Sequence, residues 1–131
     1  MWQINETPIF KRQVEQEDIS KEVIDGIYRT FENIKLERTL NNVLIYRNKE
    51  RVFEIWQARI PDPDHNKGKS GGFRLIYYVI YTEQALHLGL IERRGALGFK
   101  DERPKDKQKY AEYLESLKNH LNKLYENSDP N

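Results

Sequence analysis

Apolar residues along this chain change their period near residue 43. Before that point they recur every three or four positions, at Ile19, Val23, Ile27, Phe31 and Ile34, with Ile24 and Tyr28 widening the stripe. That spacing lines one face of a helix and predicts helical structure from Phe10 to about Arg38. Residues 17–20 can form a turn, so one long helix and a helical hairpin are both open. Residues 1–10 read as a short strand or extended arm, and Thr7 followed by Pro8 is a helix start signal.

After residue 43 the period falls to two. Val43–Tyr46 is short and apolar, Val52–Ile60 alternates, and Phe73–Tyr81 is a β-prone run apolar enough for a central strand. Residues 82–85 form a tight connection, and Leu86–Ile91 is a further strand. Two prolines and three Asp/Asn residues make 61–66 a loop, continued by Lys67–Gly72. Asp106 is placed to cap a last helix with a stripe of Tyr110, Tyr113, Leu114, Leu117, Leu121 and Leu124. Short connections between late strands imply antiparallel pairing. The expected class is α+β: a small, twisted, mainly antiparallel sheet, an N-terminal helix or helical hairpin, and a C-terminal helix. One domain is expected over 1–126, with 127–131 as a frayed tail.

Composition narrows the chemistry. Lys and Arg number 22 against 21 Asp and Glu, a formal +1, so the protein is not uniformly basic. The charges are nevertheless segregated. Residues 47–74 and 92–109 each hold seven basic and four acidic side chains, whereas 11–38 holds six and seven. The sheet half is therefore basic, with aromatic residues among its cations. Cations neutralise phosphates and aromatic faces stack bases, so RNA is a candidate ligand; solvated loop charges are the ordinary alternative. There is no cysteine, which removes thiolate chemistry, disulfides and Cys-based zinc sites, and three scattered histidines do not supply a His-only metal site. No metal and no small-molecule cofactor is expected. No apolar run approaches the roughly 18 residues of a membrane span, and no signal peptide opens the chain, so a cytoplasmic protein is expected.

The segment Lys67-Gly68-Lys69-Ser70-Gly71-Gly72-Phe73-Arg74 stands out. Its glycines allow close backbone approach to a phosphate, two lysines at spacing two share one side of an extended chain, and Arg74 offers a bidentate fork. It is not a P-loop, because the glycine spacing differs and a strand follows.

Together with Ile55-Trp56-Gln57-Ala58-Arg59-Ile60, and with the run on to Leu75-Ile76-Tyr77-Tyr78-Val79, this segment resembles the RelE/ParE superfamily of bacterial type II toxins, nearest its HigB-like members. The opening Glu6-Thr7-Pro8-Ile9-Phe10-Lys11 also looks like the family's start; residues 93–131 match loosely. The resemblance implies a RelE-like fold and an endoribonuclease that cuts mRNA, often on the ribosome, and is silenced by a cognate antitoxin. A gyrase-directed ParE-like toxin, or a non-cleaving member binding RNA or antitoxin, is the alternative. By matching positions, Lys67, Lys69 and Arg74 carry over as the phosphate and transition-state group, and Arg59 can join them. Many family members use a Tyr or His near the C-terminus as acid or base, and none aligns here. His65, beside Lys67, is the most reactive-looking substitute. His87 reads as structural and His120 as surface, while Arg93, Arg94, Lys100 and Tyr78 are candidates for RNA contact, Tyr77 and Tyr78 alternating between core and site.

Overall fold

The computed structural model describes residues 2–33, 42–63, 72–93 and 104–125. Strand β1 (Gln3–Glu6) leads into helix α1 (Pro8–Gln16). The Thr7 hydroxyl accepts the Phe10 N–H at 3.3 Å and donates to the Leu88 carbonyl at 2.7 Å, so one residue caps the helix and ties it to the sheet. The helical stretch is split. Asp18 adopts a left-handed φ of 50° after α1, and Ser20 accepts the Val23 N–H at 3.3 Å to start α2 (Lys21–Asn33). The hairpin is therefore the arrangement adopted, and the turn falls within 17–20.

Strands β2 (Val43–Arg47), β3 (Phe53–Ile60), β4 (Phe73–Ile80) and β5 (Ala85–Arg93) follow, with a 3₁₀ turn at Tyr81–Glu83 before β5. Helix α3 (Pro104–Tyr125) ends the described chain. It begins two residues before Asp106, which lies in its first turn instead of capping it. Pro104 suits that position, because a first-turn N–H has no helical partner. The expected tail at 127–131 lies outside the described residues. Among the described residues no helix is long and apolar enough to cross a membrane.

The sheet order is β1-β5-β4-β3-β2. Only the β1–β5 pair is parallel, and Phe73–Ile80 is the central strand as its composition implied. The class is α+β, as expected. Each face carries its own apolar layer. Helices α1 and α2 and the turn between them cover one face with Phe10, Ile19, Val23, Ile27 and Phe31 against Ala58, Ile60, Phe73, Leu75, Tyr77 and Val79. Helix α3 covers the other with Leu117 and Leu121 against Phe53, Ile55, Ile76 and Ile80. Leu124 is excluded from that layer and is half exposed; the next residue, Tyr125, packs on Phe53 with ring centres 6.2 Å apart.

One irregularity governs what the faces display. Tyr77 pairs with Leu88 and Leu75 with Ile91, so one residue of β4 faces two of β5. This is a β-bulge at Gly89 and Leu90, and it reverses the in-out alternation downstream. Leu88 and Ile91 share the α1–α2 face, while Leu90 joins the α3 face. Glycine is needed there: a β-carbon at 89 would lie 2.8 Å from the Ile76 carbonyl oxygen and overlap the Tyr113 hydroxyl.

Candidate functional site

The antiparallel register sets Arg59 directly opposite Arg74, and Arg74 opposite Glu92, forming a polar row across β3, β4 and β5. Alternation along β3 and β4 puts both arginines on the α3 face. The bulge puts Glu92 there too, and turns Arg93 to the far face. Without the extra residue, the acid and the base would exchange sides. Like charges directly opposite one another on neighbouring strands destabilise a sheet. Glu92 offsets part of that cost, with its Oε2 3.0 Å from Arg74 Nη2.

Helix α3 closes over the row. The Arg74 guanidinium carbon lies 4.2 Å from the centre of the Tyr110 ring, a cation–π arrangement. The Tyr110 hydroxyl donates to the Gln57 side-chain oxygen on β3. Arg74 is consequently held by a carboxylate and a ring, and its side chain is only 18% exposed. Arg59 is exposed, and has no ion-pair partner among the described residues. The row thus combines one oriented guanidinium, one exposed guanidinium and a phenol, a set suited to a phosphate and to proton transfer beside it.

The root of the Lys67–Gly72 segment is built tightly. Gly72 is buried, and a β-carbon on it would overlap the Ile60 carbonyl oxygen and lie 2.9 Å from the Asp62 nitrogen. This glycine therefore serves backbone closure between the end of β3 and the start of β4. Asp62 is buried beside it and meets Arg93 Nη1 at 2.6 Å. Arg93 also donates to the Glu17 carbonyl at 3.3 Å, and lies 4.6 Å above the Phe73 ring. Its charge is thus countered by a buried carboxylate that joins the loop root, β5 and the α1–α2 turn.

The expected site residues separate into three groups. Arg59 and Arg74 come together. Arg93 lies on the opposite face with Asp62, and Tyr78 lies on the Arg74 face, roughly 13 Å along the strand at about 3.3 Å per residue. His65, Lys67, Lys69, Arg94 and Lys100 lie outside the described residues. Of the two neighbouring tyrosines, Tyr77 is in the core and Tyr78 is half-buried, stacked on His87 at 4.8 Å. Burial pushes the Tyr78 phenol up and the His87 imidazole down. Tyr113, beside the bulge, is pushed up to about 12, chiefly by burial, although the Leu90 backbone N–H opposes the shift. His120 is exposed.

Sequence patterning missed Tyr110, Glu92 and Gln57. Tyr110 reads as one more member of the apolar stripe on the last helix, and only the packing of α3 brings it to Arg74. Glu92 carries a weak signal, as an acid at the end of a strand bordering basic residues. Gln57 carries none.

No protein-family profile matches the chain, and no curated protein matches it. Among solved structures it is similar to the archaeal RelE–RelB complex from Pyrococcus horikoshii OT3, with 11% identity, a TM-score of 0.48, and alignment over 72% of this chain and 97% of that one.

Proposed function

We propose that the chain is the toxin of a type II toxin–antitoxin system, an endoribonuclease that cleaves mRNA on the ribosome without a metal ion. The observation that carries this reading is the Arg59–Arg74 pair, set side by side at the foot of the Lys67–Gly72 segment. Two arginines directly opposite each other on neighbouring strands are costly in a sheet, and Glu92 engages only one of them. RNA supplies an anion for the pair as its backbone phosphate.

Cleavage proceeds by attack of the RNA 2′-hydroxyl on the adjacent phosphorus, which expels the 5′-oxygen of the next nucleotide. A base takes the hydroxyl proton, cations hold the charge on the pentacoordinate phosphorane, and an acid protonates the leaving oxygen. Arg74, Lys67 and Lys69 hold the phosphorane oxygens, with Arg59 beside them. An arriving phosphate takes over the face of Arg74 that Glu92 occupies. His65 is one candidate for proton transfer, and Tyr110, against Arg74, is a second. Arg94, Lys100 and Tyr78 extend the RNA contact, whereas Arg93, expected there from the sequence, is engaged by Asp62 on the other face. The partners are mRNA, the ribosome and a cognate antitoxin that wraps the toxin, and the compartment is the cytoplasm.

Induced expression tests the reading. Growth should stop and in-frame cuts should appear in translated mRNA, and replacing Lys69 and Arg74 together by Ala should abolish both in a protein that remains folded. Full toxicity of that variant removes the row from the mechanism. A second reading, a non-cleaving module directed at gyrase or at antitoxin alone, is favoured by the engagement of Arg74 with Glu92 and Tyr110. Growth arrest with broken DNA and intact mRNA would select the gyrase branch.

A further inference from the structure

On the α1–α2 face, at the other end of the sheet from Arg59 and Arg74, lies a cavity of about 460 Å³ lined by Arg47, Arg51, Glu54, Trp56 and Tyr81. Its volume is within the range of small-molecule sites, roughly 300–1,000 Å³. Its floor is a carboxylate where a sheet residue would ordinarily be apolar. Glu54 is only 3% exposed. It accepts Arg47 Nε at 2.5 Å, the Trp56 indole N–H at 3.1 Å and the Tyr81 hydroxyl at 2.6 Å. One buried acid thus fixes three of the other four lining side chains, including both aromatic rings. Trp56 is further set by an offset stack on Tyr77, rings 6.5 Å apart and 8° from parallel, and Tyr81 by an edge contact with Trp2 at 5.5 Å.

The fourth lining residue is held by its backbone. Arg51 sits in the β2–β3 turn at a left-handed φ of 57°. Asn48 closes that turn, its side-chain oxygen accepting the Val52 and Phe53 N–H groups at 2.7 and 3.0 Å. Glycine adopts that conformation without strain and arginine does not, so the position trades backbone ease for a guanidinium at the cavity rim. Arg47 spends only Nε on Glu54, which leaves its terminal nitrogens for a ligand. With two arginines and one carboxylate, the cavity carries a net positive charge.

We propose that this cavity binds a nucleoside 5′-phosphate unit, with the base against Trp56 and Tyr81 and the phosphate between Arg47 and Arg51. Flat aromatic walls suit a base, and paired guanidinium forks suit a phosphate. The site lies on the face opposite the Arg74 row, so the inference stands independently of the function proposed above. A free mononucleotide and one nucleotide of an RNA strand offer the same chemistry.

Titration of the full chain carrying Trp2→Phe, with Trp56 fluorescence as the readout, tests it. AMP should quench Trp56, and adenosine should bind at least about tenfold more weakly, since it lacks the charge-assisted contacts. Arg51→Gly should weaken AMP by about tenfold while unfolding at the same or a higher temperature. A 2′-O-methyl oligonucleotide, which lacks the attacking hydroxyl, separates the sources. If it displaces AMP the ligand is a strand, and if it does not the ligand is a free nucleotide. Equal binding of adenosine and AMP, undiminished AMP binding by Arg51→Gly, or loss of AMP binding on Arg74→Ala alone overturns the proposal.

Discussion

Replacing Asp62 by Ala should destabilise the protein well beyond the loss of a surface ion pair. The Asp62 side chain is 1% exposed and its partner Arg93 is 20% exposed. Removing one member of a buried pair costs about 3–5 kcal/mol, because the remaining charge is stranded. Arg93 keeps its contact with the Glu17 carbonyl and the Phe73 ring, and part of it reaches water, so the lower end applies, about 3 kcal/mol. Unfolding entropy is about 2.1 cal/mol/K per residue, or about 0.28 kcal/mol/K for a chain of this length. The expected fall in Tm is then about 11 °C, read by circular dichroism or calorimetry. The double replacement Asp62→Ala with Arg93→Met should recover most of it, because exchanging a whole buried pair for apolar groups is close to neutral. A fall below about 4 °C in the single variant would place the pair among ordinary exposed salt bridges, worth about 1 kcal/mol at most. The loop root would then be held by contacts other than the Asp62–Arg93 pair.

Gly72→Ala should cost at least about 1–3 kcal/mol, the usual penalty for overpacking, because the added methyl meets backbone at Ile60 and Asp62 that cannot rotate away; a denaturant midpoint equal to that of the parent protein would contradict this. The protein should also lose stability in alkali. Tyr113 is pushed from 10 to about 12 and the buried Tyr77 is raised as well, both chiefly by burial. The folded state therefore keeps protons that the unfolded state releases, so stability is complete below pH 10 and declines as pH rises from 10 to about 12. Tyr113→Phe should reduce the difference between urea midpoints measured at neutral pH and near the upper end of that window, and an unchanged difference would exclude Tyr113 as a contributor.

The helix-forming stripe was legible because its members point one way whatever the rest of the chain does. Ile19, Val23, Ile27 and Phe31 are all buried as their spacing implied. Thr7 and Pro8 were legible because capping is local chemistry, and Phe73–Ile80 because a run with few polar breaks has to lie mid-sheet. The hairpin was not decided by the pattern. Both arrangements bury the same stripe, and the left-handed turn at Asp18 is stabilised by hydrogen bonds that periodicity does not register. Leu124 fits the helical period and is still half exposed, while its neighbour Tyr125 makes the contact with the sheet at Phe53.

The sequence by itself determined the α+β class and nominated Arg74, and the resemblance added Arg59; the basic stretch 92–109 is not confined to the sheet, since Lys105, Lys107 and Lys109 lie on α3. The class follows from two simple periods, and Arg74 from the glycines and cations that precede it. Tertiary structure alone decided which charges meet. A single additional residue at Gly89 and Leu90 reverses the alternation of β5. It delivers Glu92 to Arg74 and Arg93 to Asp62, and alternation counted along the strand gives the opposite result. The approach of Tyr110 to Arg74, and the gathering of Arg47, Trp56 and Tyr81 around Glu54, likewise depend on elements that pack at long range. Hydrophobic periodicity specifies a face to be buried, and the partner across that face is specified only when the chain closes on itself.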